Sequence, residues 1–200
     1  MRRVGRLLLA VSLGACNFTA RAQPDAAPDV GTPIDAAIDA PDASTLPFWT
    51  SVIGANANGN NLTSTAAAPG WDTAGAVSRA VIASGDGYLQ FTTMETNRGK
   101  AIGLSNGDTN QDITDIDFAF LAAANGSLYV FEGGTERTMV GSYTSSDVLK
   151  IEVAGNLVLY RKNAALVYTS FNPPTYPLLV DSALYHTGAT LMNVSIVSSP

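Results

Sequence analysis

The sequence GDTNQDITD, at residues 107–115, carries closely spaced side chains with oxygen donors: Asp108, Asn110, Asp112 and Asp115. Oxygen ligands at alternate positions suit a hard cation such as calcium. An EF-hand loop would have glycine at its sixth position and glutamate at its twelfth, where this chain has Ile113 and Ala119. Polar turn residues that bind their own backbone explain the same pattern. Calcium binding at these four residues and a plain turn are therefore both left open.

No other familiar reaction centre stands out in the sequence. His186 is the only histidine and Cys16 the only cysteine, so a zinc site built from these ligands is not expected. No nucleophile elbow supports a serine paired with His186. The glycine-rich segments at 84–87 and 132–136 precede no helix and lack the lysine of a phosphate-binding loop. The sequence predicts a protein that is not an enzyme and needs no cofactor.

The hydrophobic residues after Pro47 alternate with polar ones, which is typical of antiparallel strands with one buried face. In DIDFAFLA this alternation predicts that Ile116, Phe118 and Phe120 share the buried face. Turn residues separate the runs, and AGN at 154–156 predicts a tight hairpin. The predicted strands are AVSRAVIA, GYLQFTTM, KAIGLS, DIDFAFLA, SLYVFE, DVLKIEV, LVLYRK, ALVYTS and TLMNVSIVS. Residues 47–200 are therefore predicted to form one all-β domain, a sandwich or a barrel.

A resemblance makes this fold prediction more specific. The segment SDVLKIEVAGNLVLYRKNAALVYTSFNPPTYPLLVDSALYHTGATLMNVSIVSS resembles concanavalin A-like jelly rolls in the order of its strands and turns. That superfamily includes lectins, glucanases and SPRY-like domains. The block from WTSVIGANANGNNLTSTA onward, residues 48–199, is similar to a module that recurs in large bacterial extracellular proteins. The resemblance implies a two-sheet antiparallel jelly-roll sandwich and assigns no ligand.

The resemblance also bears on catalysis. Laminarinase-type glucanases of this superfamily carry two glutamates that flank an aspartate on one strand, and glycoside hydrolysis needs such a pair of carboxylates. The nearest match in this chain begins at Asp115 and Asp117, and its third position falls on Ala119 or Phe120. Neither of these side chains can act as an acid. The departure from the pattern implies a noncatalytic domain.

The same resemblance implies a sugar site. Lectins of this fold typically pair an aromatic ring with Asp, Asn and Gly donors. Trp71 and Tyr176 have loop contexts in which a ring can face a pyranose, and polar side chains close in sequence to Trp71 could complete the site. The predicted ligand-binding residues are Trp71, Asp72, Asn97, Arg98 and Tyr176. The alternative is that Trp71 only closes one end of the sandwich.

Cys16 follows a short apolar run with arginines at positions 2, 3 and 6. The run is too short to cross a bilayer, which needs about 20 residues, so residues 1–15 are predicted to be a secretory signal. LGAC at 13–16 resembles the lipobox of bacterial lipoproteins, in which the thiol is acylated and the chain is cut just before it. The resemblance implies that Cys16 carries a lipid anchor.

The final location depends on how the signal is processed. ARA at 20–22 resembles a general signal-peptidase site, which would release a soluble periplasmic or secreted protein that begins at Gln23. Asn17 follows the cysteine where many lipoproteins retained in the inner membrane carry Asp. The lipoprotein resemblance therefore implies the cell outer membrane, where the domain could be exposed at the cell surface.

Residues 16–46 are predicted to form a disordered tether. From Gln23 onward this segment is rich in Asp, Ala and Pro, and it offers nothing aromatic to bury. Such a composition cannot offset the entropy of its own ordering. In an extended state it could reach on the order of 70 Å, which would lift the domain off a membrane.

The net charge of −6 limits the partners that the chain could bind. From Pro47 onward twelve acidic residues stand against seven basic ones, and no basic patch is present to attract nucleic acid. We therefore expect a lipid-anchored, noncatalytic module that binds carbohydrate or a surface protein. The alternatives are a structural envelope lipoprotein without a small ligand and, as the weakest, a glycan-cleaving enzyme.

Overall fold

A computed structural model describes residues 48–199 of the chain. The predicted signal peptide at 1–15, Cys16 and the tether at 16–46 lie outside the described residues. Within the described part, no helix is long and apolar enough to pass through a bilayer. The strands are β1 (Trp49–Ile53), β2 (Ala55–Asn58), β3 (Asn61–Ser64), β4 (Gly75–Ile82), β5 (Gly87–Thr93), β6 (Lys100–Ser105), β7 (Phe118–Ala122), β8 (Ser127–Glu132), β9 (Thr135–Ser142), β10 (Val148–Ala154), β11 (Leu157–Lys162), β12 (Ala165–Thr169), β13 (Leu178–Leu184) and β14 (Thr190–Ser198), and a short 3-10 helix spans Ile113–Asp115.

The strands form two antiparallel sheets of seven strands each. The first sheet has the order β1-β4-β13-β6-β7-β8-β9, and the second has the order β12-β11-β10-β5-β14-β3-β2. Every pairing between neighbours is antiparallel. The predicted all-β, two-sheet antiparallel sandwich is confirmed.

The main core lies between the two sheets. It joins residues of both, as where the ring of Phe120 on β7 meets that of Tyr160 on β11 edge-on, with centroids 5.2 Å apart. In β5, β8 and β10 every second side chain is buried, as the sequence alternation predicts. These strands have one face in the core and the other towards solvent.

The central strands β6 and β13 of the first sheet are buried on both faces. The connection between β6 and β7, residues 106–117, crosses the outer face of this sheet. Its Ile113 and Ile116 pack onto Ala101, Ala119 and Ala183 to form a second, smaller core. We call residues 106–117 the covering loop.

One prediction for this region is wrong. Ile116 does not share a face with Phe118 and Phe120, because the strand begins only at Phe118. The two phenylalanines belong to the core between the sheets, whereas Ile116 belongs to the small core on the outer face. A loop that folds back over its own sheet therefore imitates the alternation of a strand.

Glycines leave room for the covering loop. A Cβ at Gly103 on β6 would lie 2.1 Å from the carbonyl oxygen of Phe118 and 2.5 Å from a methyl carbon of Ile116. A Cβ at Gly75 on β4 would lie 3.0 Å from the side chain of Gln111. The small residues of the first sheet thus decide how closely the loop approaches.

The hairpin predicted at 154–156 is confirmed. Gly155 and Asn156 join β10 to β11, and both have positive φ angles, of 57° and 67°. Two such residues give the turn whose twist matches that of the flanking strands. The short strands β1, β2 and β3 and the edge strand β9 were not singled out from the sequence, because Asn, Thr and Gly weaken their alternation.

Candidate functional site

Three acidic side chains meet where the covering loop crosses β13. Asp181 lies on the outer face of β13, next to Gly103 in the register of the sheet, and is 2% exposed. Asp108 and Asp115 of the covering loop lie over it. One carboxylate oxygen from each of the three residues lies within 4.8 Å of the others. We call these three residues the aspartate cluster.

The three carboxylates differ in their hydrogen-bond partners. Asp115 accepts hydrogen bonds from the backbone N–H and the hydroxyl of Thr109, at 2.7 Å and 2.6 Å. Asp181 Oδ2 accepts one from the hydroxyl of Ser105 at 3.2 Å. Asp108 Oδ1 is removed from solvent and has no hydrogen-bond partner. A buried acceptor without a donor is uncommon in folded proteins and costs free energy.

Burial is the main cause that raises the pKa of Asp181 to about 8, and the negative charges of Asp108 and Asp115 raise it further. Burial, followed by the charge of Asp115, also raises the pKa of Asp108. Among the described residues, no Lys, Arg or His forms an ion pair with any of the three. The cluster therefore brings three carboxyl groups together without a cationic side chain of the described residues to pair with them.

The structure separates the four residues of the predicted calcium loop into two pairs. Asp108 and Asp115 join the aspartate cluster. Asn110 accepts a hydrogen bond from the N–H of Asp112, and Asp112 from the N–H of Thr114, each at 2.8 Å. These are turn and capping contacts of the kind that was the alternative interpretation of the sequence.

Asp181 was not recognised from the sequence as a partner of this loop. The signal was present, because LLVDSAL places one acid in an otherwise apolar strand. A buried acid without a partner nearby in sequence indicates a partner elsewhere in the fold.

The predicted ring Trp71 lies at one corner of the first sheet. Its ring centroid is 5.0 Å from that of Tyr185, and the side chain packs beside Leu121 on the small core. Both rings line a mostly apolar cavity of 280 Å³. His186 lines the same cavity, and its Nδ1 accepts a hydrogen bond from the N–H of Gly99 at 2.8 Å.

Of the other predicted sugar-binding residues, Asp72 follows Trp71 directly in the chain, and Asn97 and Arg98 directly precede Gly99, which lines the same cavity as Trp71. Asp72 and Asn97 are exposed, and Arg98 donates from Nε to the carbonyl oxygen of Thr187 at 3.0 Å. The hydroxyl of Tyr176 donates to the carbonyl oxygen of Gly85 at 2.6 Å. Trp71 precedes β4 in the chain and Gly85 follows it, and β4 itself is a strand of eight residues that spans roughly 25 Å.

A larger groove lies on the outer face of the second sheet. Its volume is 610 Å³. Gln90 on β5, Lys150 on β10 and Arg161 on β11 are direct cross-strand neighbours and form a polar row across it. The complete lining is Gln90, Val148, Lys150, Glu152, Arg161, Asn163 and Ala164. We call this feature the polar groove.

Glu152 connects the two basic side chains of the polar groove. Its carboxylate binds Lys150 Nζ at 3.1 Å and Arg161 Nε at 2.7 Å. The hydrogen bond from Arg161 is the main reason that the pKa of Glu152 lies below its ordinary value; burial opposes this effect and Lys150 adds to it. Lys150 Nζ also stands 4.4 Å from the ring centre of Tyr88. The charged side chains of the groove therefore bind one another.

Sequence reasoning did not single out the polar groove as a site. The alternation in DVLKIEV correctly assigns Lys150 and Glu152 to the solvent face. Only the pairing of β10 with β5 and β11 shows that Gln90 and Arg161 stand beside them.

A third cavity, of 280 Å³, contains two carboxylates. Asp117 and Glu132 both line it. Glu132 is 2% exposed and is bound by Arg137 Nε at 3.3 Å, Asn172 Nδ2 at 2.9 Å and the hydroxyl of Tyr160 at 3.3 Å. Burial, followed by the charge of Glu132, raises the pKa of Tyr160 well above its ordinary value, so the phenol keeps its proton as a donor.

Solved structures with a similar fold are numerous, although their sequences are distant. A human SPRY domain superposes with a TM-score of 0.57 at 13% identity, covering 72% of this chain and 96% of that one. The exoplasmic/lumenal domain of VIP36, in a form with Ca²⁺ and Man3GlcNAc bound, superposes with a TM-score of 0.53 at 9% identity. The match covers 75% of this chain and 82% of the VIP36 domain. An alginate lyase from Corynebacterium sp. superposes with a TM-score of 0.50 at 15% identity, and the match covers 78% of this chain and 82% of the lyase.

No protein-family model and no curated protein sequence matches the chain. At these identities the likeness establishes the fold alone. The described domain has the concanavalin A-like jelly-roll fold that binding domains and enzymes share.

Proposed function

We propose that this protein is a noncatalytic carbohydrate-binding module that a lipid on Cys16 displays at the outer membrane. The observation that carries the binding function is the polar groove, which is the right size for a small ligand and lined by paired polar side chains. Ligand sites usually occupy about 300–1,000 Å³. The groove, at 610 Å³, falls within this range, whereas the other two cavities, at 280 Å³, fall just below it.

The chemistry of the groove suits a sugar. The hydroxyls of a sugar both donate and accept hydrogen bonds, and Gln90, Glu152 and Asn163 supply acceptors while Lys150 and Arg161 supply donors. Lys150 reaches from the groove over the ring of Tyr88, with its Nζ 4.4 Å from the ring centre, and this contact helps to position the donor. With two bases against one acid, the groove is positive within an acidic domain, which favours glycans that carry carboxylates.

The same geometry argues against catalysis in this groove. Glu152 is the one carboxylate among its lining residues, and glycoside hydrolysis by the usual route needs two. The lowered pKa keeps Glu152 ionised, so it has no proton to donate as a general acid.

Two further observations support the complete proposal. VIP36, which shares the fold, was crystallised with Man3GlcNAc, so this fold can present a glycan site. The lipobox-like LGAC and the Asp-Ala-Pro segment favour display of the domain on a tether. Attachment to the outer membrane is part of the proposal.

A glycan array with a parallel hydrolysis assay tests this function. The full-length chain is compared with Arg161→Gln, which removes a donor from the groove, and with Arg79→Gln as the matched control, since Arg79 is an exposed arginine on the other sheet. We expect wild type and Arg79→Gln to retain the same glycans without cleaving them. For Arg161→Gln we expect a loss of roughly tenfold or more, the effect of one charged hydrogen bond.

Other results would contradict the proposal in distinguishable ways. Loss of retention in Trp71→Ala but not in Arg161→Gln would move the site to the aromatic cavity. Glycan cleavage that disappears in Glu132→Gln would favour an enzyme at the cavity with two carboxylates. No retention and no cleavage would favour a structural envelope lipoprotein.

A further inference from the structure

We propose that Asp108, Asp115 and Asp181 bind one divalent cation, with Ca²⁺ the best match, and that this ion fastens the covering loop to the first sheet. The inference concerns the outer face of the first sheet. It does not depend on the proposed carbohydrate function, because the polar groove lies on the outer face of the other sheet.

The spacing of the oxygens fits a shared ion. Oxygens that bind one Ca²⁺ at about 2.3–2.6 Å can lie at most about 5 Å from one another. One oxygen from each member of the aspartate cluster satisfies this limit, since all three lie within 4.8 Å. The ligands come from two elements that are more than 60 residues apart in the chain, so their convergence is a product of the fold.

Two buried groups in the cluster need a positive partner that no side chain provides. Asp108 Oδ1 is inaccessible to solvent and accepts no hydrogen bond. The Asp181 side chain is 2% exposed, points into the cluster and receives one side-chain hydrogen bond, from Ser105. Burying a carboxylate is costly unless it is paired or binds a metal. A cation at the common centre of the three carboxylates satisfies both groups.

The ligand chemistry selects a hard cation. Three carboxylates, without histidine or cysteine, suit Ca²⁺, Mg²⁺ or Mn²⁺ rather than zinc. Ca²⁺ tolerates irregular geometry and variable ligand number, whereas Mg²⁺ requires a near-ideal octahedron and keeps several waters. A loop laid over a sheet provides the irregular geometry that Ca²⁺ tolerates.

Calcium titration of the full-length chain tests the site. Melting temperature and isothermal titration calorimetry are measured with CaCl₂ and with chelator for wild type, Asp108→Asn and Asp112→Asn. Asp112 is the matched control, because it lies in the same loop but its carboxylate accepts a hydrogen bond from the backbone N–H of Thr114 instead of joining the cluster. At a Ca²⁺ concentration of about 100 Kd we expect the wild-type melting temperature to rise by roughly 5–10 °C, with one ion bound per chain.

The variants give opposite expectations. Asp108→Asn should bind Ca²⁺ at least roughly tenfold more weakly yet melt no lower than wild type in chelator, because it forms no hydrogen bond and removes like charge. Asp112→Asn should keep the full response to Ca²⁺. A wild-type protein that responds neither to Ca²⁺ nor to Mg²⁺ or Mn²⁺ would overturn the proposal, and would mean that a proton held within the cluster balances its charge. A response that Asp108→Asn retains in full would overturn it equally.

Discussion

The buried aspartates Asp147 and Asp181 show how neighbours decide what a carboxylate does. Asp147, 8% exposed, accepts hydrogen bonds from the N–H of Thr144 at 2.8 Å and from the amide of Asn163 at 2.7 Å, and it pairs with Lys162 at 3.0 Å. Burial raises its pKa, but these three partners together bring the pKa below its ordinary value. Asp181 has the hydroxyl of Ser105 as its side-chain donor, and burial, followed by the charges of Asp108 and Asp115, raises its pKa.

Asp147 should make stability depend on pH. Its folded-state pKa lies below the unfolded value of about 3.9, so its contribution is complete above that pH and is lost as the pH falls through the folded pKa. We expect Asp147→Asn to lower the free energy of unfolding by about 1–2 kcal/mol at neutral pH. The difference from wild type should be constant from neutral pH to about pH 5 and shrink as the pH falls further, to about 3 and below.

Urea denaturation of both proteins across this pH range measures the effect. Asp72→Asn is the control, because Asp72 is exposed and should change the free energy of unfolding little at any pH. A difference between wild type and Asp147→Asn that grows on acidification would contradict the assigned role of Asp147.

At the scale of elements, the covering loop connects the first sheet to the aspartate cluster. It buries the outer face of β6 and β13 and carries two members of the aspartate cluster. The close packing of the loop on the sheet depends on small residues beneath it, above all Gly103. The loop therefore links the packing of the first sheet to the geometry of the candidate cation site.

The variant Gly103→Ala tests whether the packing of the covering loop depends on Gly103. The new Cβ would stand 2.1 Å from the carbonyl oxygen of Phe118, so the start of β7 or the loop must move. We expect a loss of about 2–3 kcal/mol in the free energy of unfolding, typical of overpacking. We also expect the calcium response to weaken, because the loop would no longer hold its two acids over Asp181.

Gly85→Ala is the comparison variant. Gly85 has a φ of 70°, and a Cβ added there would have no heavy atom within 4 Å, so its cost should be the backbone strain alone, about 1 kcal/mol. Chemical denaturation of the two variants separates steric clash from strain. An equal loss in the free energy of unfolding of the two variants would mean that the packing of the loop does not depend on Gly103.

At the scale of the whole molecule, anchoring and binding are assigned to different parts of the chain. We propose that the lipid and the tether fix the location, while the sandwich presents the polar groove and the aspartate cluster on its two outer faces. The only cysteine is in the anchor segment, so no intrachain disulfide stabilises the domain. Its stability depends on the core between the sheets and on the covering loop.

Cys16→Ser tests the anchor. Without a thiol to acylate, the protein should move from the detergent-rich to the aqueous phase in a phase-partition experiment on cell envelopes. Ala22→Leu, which alters the alternative ARA site, should leave wild-type partition unchanged. Mass spectrometry of the native N-terminus completes the measurement. A mature chain that begins at Gln23 without an acyl mass would contradict the anchor.

The fold class could be predicted from the sequence because alternation is a local property. A strand that buries one face shows a period of two wherever it lies in the sheet, and β5, β8 and β10 kept the faces that the sequence assigned. The Gly-Asn hairpin was equally local, since two residues with positive φ determine the turn. The order of strands in each sheet has no such local signal.

The candidate sites depend on the tertiary structure. Asp181 and Asp108 are far apart in sequence, and only the crossing of the covering loop over β13 brings them together. Similarly, strand pairing places Lys150 between Gln90 and Arg161. Trp71 and Tyr176 belong to different loops, and the Tyr176 hydroxyl binds the carbonyl oxygen of Gly85. Local patterning was enough to assign the faces of strands that bury one side, such as β5, β8 and β10. Side chains from distant segments became neighbours only through the fold, because long-range pairing depends on the packing of the entire chain rather than on any short segment.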